Sequence, residues 1–413
     1  MSAEKASFRL SVFLGFAYTM YVIGKMSFSA ATVGLIEEGI LTKTQTGVIS
    51  GIFWLVYAIG QVVGALIVNK VSAYLLIEIG IIGSAISNIL MACTESFGIL
   101  LVVWCLGGAA QLGLWSGLLK LTSTEVSEKH RPVLVGFLAY SYSIGSIISY
   151  FLTAAILAVC SWKYIFILCG VICGLALPGI VYSRKKASPI LEKEMESQSS
   201  SIQKKQKITW KIIWNRGLIF FALLMCVKTI VENGIGSWMP TILFEVYGIS
   251  SSYSSLLSVG RLVIALLGVA LGAFVYAKAR TDELHSLIII VLPMVPIMLL
   301  LNNLSNLEIF TVIVLLFGGA LLLSATTPRI SLNYPARYQD IGLTANVGAI
   351  INCMSTGGMA IATYGGGYIA DKFGWNAVVH MWTILITFFL IVTVGMIPLW
   401  NRFKRSWGIK SHK

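Results

Sequence analysis

The stretch MCVKTIVENGIGSWMP (residues 225–240) sets Lys228 and Glu232 four residues apart inside an otherwise apolar run. Four residues is about one helical turn, so the two side chains share a helix face. An ammonium and a carboxylate so placed can form a local ion pair that lowers the cost of burying both. They can equally line a solvated path on which Glu232 carries charge or a proton. Lys25 lies in YTMYVIGKMSFSAA, flanked by Tyr18, Tyr21 and Ser27. It reads either as a lysine snorkelling to an interface or as part of a binding site. Lys120 stands near the end of its run, where snorkelling is the simpler reading, and Glu78 is also close to an end. Arg261, in the middle of LSVGRLVIAL, reaches neither interface easily and needs an acidic partner. Glu232 is the deepest acid, and a Glu232–Arg261 pair is expected.

Polar and aromatic residues accompany these charges at helical spacing. Tyr57 and Gln61 are one turn apart in VYAIGQ, and Gln111 and Trp115 in QLGLW; Tyr140 and Tyr142 lie in LAYSYSIGS. Each can line a site, and each can equally bridge packed helices. Trp238 reads as a site residue or as an interfacial anchor. Gly357–Gly358 and the run Gly365–Gly367 read as places of close helix contact. Cys169 and Cys173, one turn apart, read as small packing residues, so neither a disulfide nor a metal site is expected, and no cofactor.

The elements that must hold these residues follow from composition. The 413 residues are 57% apolar and only 11% charged, whereas soluble domains carry about a quarter charged residues. A soluble enzyme is excluded on that ground. Each membrane span needs roughly 20 apolar residues, and twelve such segments are expected: 8–33, 45–69, 73–94, 97–122, 132–159, 161–183, 215–244, 251–277, 284–303, 307–328, 341–370 and 374–401. They are helices, because a lone strand leaves its backbone unsatisfied in lipid, and the alternating strands of a barrel are absent from the pattern. The fold class is therefore all-α, a twelve-span membrane protein.

A net charge of +13 is of the kind that attracts nucleic acid, but its placement points to topology. With the N-terminus in the cytoplasm, Lys43, Lys163 and Lys372 fall in outer loops and Lys25, Lys120, Lys228 and Arg261 within spans. The remaining 23 of the thirty basic residues lie on the cytoplasmic side, as the positive-inside rule requires. Both termini are expected in the cytoplasm and the chain in a plasma membrane, the bacterial inner membrane. The opening MSAEKASFRLSVFLGF is apolar for too long to be a signal peptide and is taken as the first span.

Residues 184–212, rich in Ser, Lys, Glu and Gln, read as a solvated linker. They divide the chain into a six-helix bundle at 1–183 and another at 213–413. The halves echo each other. GALIVNK (64–70) follows the second span and GAFVYAK (272–278) the eighth; SWKYIF (161–166) opens the sixth and GWNAVV (374–379) the twelfth. Repeated halves are typical of secondary transporters, and no phosphate-cradling Walker loop points to ATP.

Over its whole length the chain resembles the major facilitator superfamily, and within it the organophosphate:phosphate antiporters. The resemblance rests on YVIGKMSFSAA, VYAIGQ, ENGIGSWMPTIL and GGGYIADKFGWNAVV. It implies a cavity between the halves and rocking of one half against the other. The departures are specific. The family has Arg-Lys where this chain has Gly24-Lys25, and an arginine where it has Glu232. These two arginines are the family's phosphate clamp. Gln61 replaces a lysine of some relatives, Tyr142 a histidine, and Arg261 an acid. Arginine grips phosphate by two parallel charged hydrogen bonds, and lysine offers a point charge. A carboxylate, a polyol or sugar, or a zwitterion is therefore the expected small-molecule substrate, met by Tyr21, Lys25, Tyr57, Gln61, Gln111, Trp115, Tyr142, Lys228, Glu232 and Trp238. The expected protein is a monomeric transporter in the lipid bilayer, without nucleic acid. Exchange or proton symport would drive it, Glu232 carrying the proton in the second case. Two other readings are a transporter-like sensor of a sugar phosphate and a proton-coupled exporter.

Overall fold

A computed structural model describes residues 3–68, 70–127, 129–186, 216–279 and 282–406. Among them every regular element is helical. The spans run Ala3–Glu37, Lys43–Ile67, Ala73–Met91, Phe97–Ala110 with Leu114–Thr124, Arg131–Leu157, and Lys163–Gly174 with Leu177–Lys186. Then follow Leu218–Tyr247, Ser251–Ala279, Glu283–Val291 with Met294–Leu301, Ile309–Pro328, and Thr344–Gly395 extended by Ile397–Ser406. The sixth span continues to Lys186, and the rest of the expected linker lies outside the described residues.

Eleven of these helices are long and apolar enough to cross a membrane. The last is 52 residues long, about 78 Å at 1.5 Å per residue, more than twice the roughly 30 Å hydrocarbon core. It is broken at Gly374, whose φ of 80° and ψ of 174° leave the helical region, a conformation that glycine adopts readily. Spans eleven and twelve thus meet at this residue, and the expected count of twelve stands. Spans two and nine start on side-chain caps. Thr42 and Gln45 exchange hydrogen bonds in a capping box, and Asp282 accepts from the His285 amide at 3.0 Å.

The described residues form two compact units. The first holds spans one to six with residues 248–259, the opening of span eight; the second holds span seven and the rest of the chain from Gly260. In the first unit, span one packs along span five, with Gly145 against Val22 and the Thr19 carbonyl. In the second, span seven packs along span eleven, with Gly358 against the Cys226 carbonyl and Gly366 against the Trp238 indole. Gly358 and Gly366 make the close contacts expected of their clusters, while Gly357 and Gly365 have open space where a Cβ would stand.

The sequence repeats mark repeated contacts. The first glycine of GALIVNK, Gly64, lies so near span four that a Cβ would stand 2.2 Å from the Leu112 carbonyl oxygen. Its counterpart in GAFVYAK, Gly272, has the Ala325 carbonyl oxygen at 2.1 Å. Gly60 and Gly268, one turn earlier in each, meet Leu112 and the Leu321 carbonyl. The second repeat also has a structural meaning. Glu38, just after span one, accepts from the Trp162 amide at 3.3 Å; Glu245, at the end of span seven, accepts from Trp375 Nε1 at 2.8 Å. In both units a carboxylate thus ties the end of the first helix to the start of the sixth.

Ion pairs repeat as well. Glu78 on span three pairs with Arg184 at the end of span six (3.0 Å), and Asp282 before span nine pairs with Lys404 at the end of span twelve (2.5 Å). Tyr74 on span three donates to Glu125 after span four (2.7 Å), and Arg337 after span ten holds both oxygens of Glu283 at 2.9 and 3.1 Å. Burial pushes the Asp282 carboxyl up. The His285 amide, Lys404 and the His285 ring outweigh that effect and hold it down to about 2.

Candidate functional site

Two clusters, one in each unit, hold Lys25, Lys228 and Glu232, three of the intramembrane charges singled out by sequence.

In the first unit Lys25 is 4% exposed, so it does not snorkel. Its Nζ lies 3.4 Å from the centroid of the Tyr57 ring, 4.9 Å from Trp54 and 5.9 Å from Tyr21. None of the ion pairs among the described residues includes it. Three aromatic faces therefore stand in for a counter-ion, the nearest contributing about 2 kcal/mol or more when desolvated. They leave the net charge uncancelled. Tyr21 also donates its hydroxyl to Gln111 Oε1 at 2.5 Å. Gln111 sits in the break of span four between Ala110 and Leu114, outside helical geometry at φ −86°, ψ 1°. The break is thus what presents this side chain to span one. Tyr18 extends the wall, stacked on Tyr21 at 5.8 Å and 5.5 Å from Trp115. Tyr142 is half-buried with its hydroxyl 4.0 Å from the Met26 sulfur. Gln61 is half-buried one turn beyond Tyr57. Trp54, three residues before Tyr57 and so on the same helix face, was not singled out by sequence.

In the second unit Lys228 is 2% exposed at its side chain and Glu232 25%. Lys228 Nζ donates to Glu232 Oε2 and, at 2.6 Å, to Thr327 Oγ1. Ser324 Oγ donates to Glu232 Oε1 at 2.8 Å. The partner of Glu232 is thus Lys228, and the expected pair with Arg261 is corrected. The Arg261 guanidinium instead lies against Gly236, where a Cβ would stand 3.2–3.3 Å from its atoms. Helix geometry puts Lys228 and Glu232 on one face whatever else happens, whereas Arg261 must arrive from span eight, and it arrives one turn further on. Ser324 and Thr327, in the polar run SATTP, were the missed partners, and that run inside an apolar span was the available signal.

Trp238 is also corrected. It is 2% exposed, its Nε1 donates to the Ala362 carbonyl at 3.3 Å, and its ring fills the notch at Gly366, 5.7 Å from Trp375. It packs spans seven, eleven and twelve and is not brought to the Lys228 cluster. Lys120, half-buried near the end of its span, donates its Nζ to the Val68 carbonyl that closes span two. Cys169 and Cys173 are buried, and all seven cysteines are free. No group of metal ligands occurs among the described residues.

The chemistry available is ionic and hydrogen-bonding. No nucleophile–base pair is assembled at either cluster. One cluster offers a buried cation without an anion; the other offers a neutralised pair whose carboxylate is the more accessible member.

Comparison with known proteins fits this arrangement. The family model of the Major Facilitator Superfamily matches residues 13–347. A probable hexose phosphate transport protein of Chlamydia trachomatis serovar D is 22% identical, over 97% of this chain and 92% of that protein. The membrane sensor protein UhpC of Salmonella typhimurium is 20% identical over 58% of this chain and 57% of its own length. Among solved structures, the nucleoside transporter NupG superposes with a TM-score of 0.70 at 12% identity, covering 94% of this chain and 99% of that one.

Proposed function

The chain belongs to the Major Facilitator Superfamily, and from that premise we propose that it carries a small polar organic anion with a single negative charge. As a member of that superfamily it is a multi-pass membrane protein and a secondary-active transporter working by alternating access. The anion follows from Lys25. A buried ammonium that faces three aromatic rings and joins none of the ion pairs among the described residues leaves one positive charge for a ligand to neutralise. A phosphate dianion would exceed that charge, and the resemblance to the phosphate carriers puts Gly24 and Glu232 where their two clamp arginines stand. A carboxylate matches it one to one, and the Tyr18, Tyr21 and Trp115 rings give its carbon body an apolar wall. The basic residues of the short loops support an inner-membrane protein with both termini in the cytoplasm.

The test is counterflow in proteoliposomes, with sugar acids, sugar phosphates, neutral sugars and amines as solutes. Exchange of sugar acids, lost in Lys25→Met, is the expected result. Exchange of amines or neutral sugars with Lys25→Met unimpaired would overturn it. The similarity to a membrane sensor favours a second reading, in which the ligand binds with the same charge preference and no solute exchanges.

A further inference from the structure

Gln111 uses only half of its carboxamide for packing. Its Oε1 accepts the Tyr21 hydroxyl at 2.5 Å. Its Nε2 donates to none of the described residues, nor does the Lys25 ammonium. Neither nitrogen is among the enclosed polar atoms that lack a partner. Solvent therefore reaches both, although the two residues are only 2% and 4% exposed. We propose that Gln111 is a ligand-binding residue that donates its amide N–H to a hydroxyl of the ligand, and that the carried anion is a hydroxy acid of the sugar-acid kind rather than a plain carboxylate. The inference rests on the reading of Lys25 as the partner of the anion and adds a second, neutral contact to it.

The two donors flank one residue. Lys25 follows Tyr21 by one turn of span one, so the two share a face, and its Nζ stands 5.9 Å from the Tyr21 ring centroid. Gln111 meets the same residue at its hydroxyl. A ligand with its carboxylate on Lys25 and its carbon chain along Tyr21 brings a nearby hydroxyl to the amide. The amide is also fixed before the ligand arrives. The break in span four that carries Gln111 is pressed from two sides. The Leu112 carbonyl abuts Gly64 of span two, and a Cβ on Gly113 would stand 2.7 Å from the Leu76 side chain of span three. Backbone and Tyr21 together set the direction of the carboxamide, so binding has little left to order.

The chemistry of the pair selects the ligand. With Oε1 engaged, the accessible end of Gln111 is a donor, and the Lys25 ammonium is a donor as well. Two donors call for two acceptors on one small molecule. Solvent satisfies the amide between ligands, and a ligand that displaces solvent has to supply the acceptor itself. A site that hydrogen-bonds a hydroxyl rejects the analogue lacking it for this reason. A neutral sugar meets the amide and leaves the ammonium unmatched. An unsubstituted carboxylic acid does the reverse. A hydroxy acid answers both.

The experiment is calorimetric titration of the purified full chain with gluconate and with its 2-, 3- and 4-deoxy analogues. Wild type is expected to bind one of the deoxy acids about 5- to 150-fold more weakly than gluconate, the effect of leaving one amide unpaired. In Gln111→Met that gap should close to within about twofold, with the deoxy acid bound as in wild type. Tyr21→Phe keeps a ring beside Lys25 and releases the carboxamide, so it should narrow the gap and leave the deoxy acid unaffected. Wild type binding all four acids alike would overturn the proposal without any variant. A gap that persists in Gln111→Met would overturn it too, as would a Gln111→Met variant that weakens all four acids equally, the mark of a residue that only packs. Equal binding of the four acids that is lost in Lys25→Met would overturn this inference alone; no binding of gluconate at all would remove the anion reading beneath it and this inference with it.

Discussion

Replacing Lys25 by methionine should separate its role in ligand binding from any role in stability. The reasoning is quantitative. Burying an ammonium at mid-membrane costs roughly 2.5–3.5 kcal/mol on insertion scales. Its closest ring, Tyr57 at 3.4 Å, returns about 2 kcal/mol, and Trp54 and Tyr21 at 4.9 and 5.9 Å return less. The lysine therefore stands near break-even, and methionine, close in length, fills its place without the charge. The unliganded variant should melt within about 3 °C of wild type, or slightly above it. The ligand should fare differently. A hydrogen bond to a charged group contributes about 1.5–3 kcal/mol, so its loss raises KM for exchange about 10- to 150-fold. Thermal unfolding in detergent and initial rates of counterflow measure the two quantities on the same preparation. A large drop in melting temperature with KM unchanged would show that Lys25 is a structural cation, and the argument from its missing counter-ion would fail.

The repeated glycine contacts predict matched lesions. Gly64→Ala and Gly272→Ala each drive a methyl into a backbone carbonyl at 2.2 and 2.1 Å, and each should cost about 1–3 kcal/mol in thermal unfolding. Gly365→Ala, with open space, should be neutral or stabilising. Asp282 supplies a pH test. Its folded carboxyl is held down to about 2 against an ordinary 3.8, so its contribution is present above about pH 4 and is lost as pH falls toward 2. In melting curves Asp282→Asn should flatten that part of the acid dependence and lower stability at neutral pH. Glu283→Gln should destabilise more than Glu78→Gln, because the Glu283 carboxylate is 1% exposed and bidentate with Arg337, whereas Arg184 is 49% exposed; unfolding of the two variants side by side decides it.

Sequence alone determined what depends on composition and on helical spacing. A chain with so few charges and such long apolar runs has to cross a membrane as helices, because unsatisfied backbone is excluded from lipid. The repeated GALIVNK and GAFVYAK segments were legible as a duplication, and the shared helix face of Lys228 and Glu232 was legible because three or four residues along a helix is a fixed geometry. What sequence left open concerns contacts between helices. Lys25 could have snorkelled or lined a binding site; only the approach of span two sets Trp54 and Tyr57 over it. Gln111 could have pointed anywhere until span four broke beside it and met Tyr21. Arg261 looked like the partner of Glu232 because both were deep and opposite in charge, but depth says nothing of azimuth. Span eight brings its guanidinium to Gly236, where the missing Cβ leaves room, while Glu232 is already held by Lys228 and Ser324. Spacing within one helix is settled by the backbone repeat. Which faces of two helices meet is settled by how their small and large residues interlock, and that was decided only in the tertiary structure.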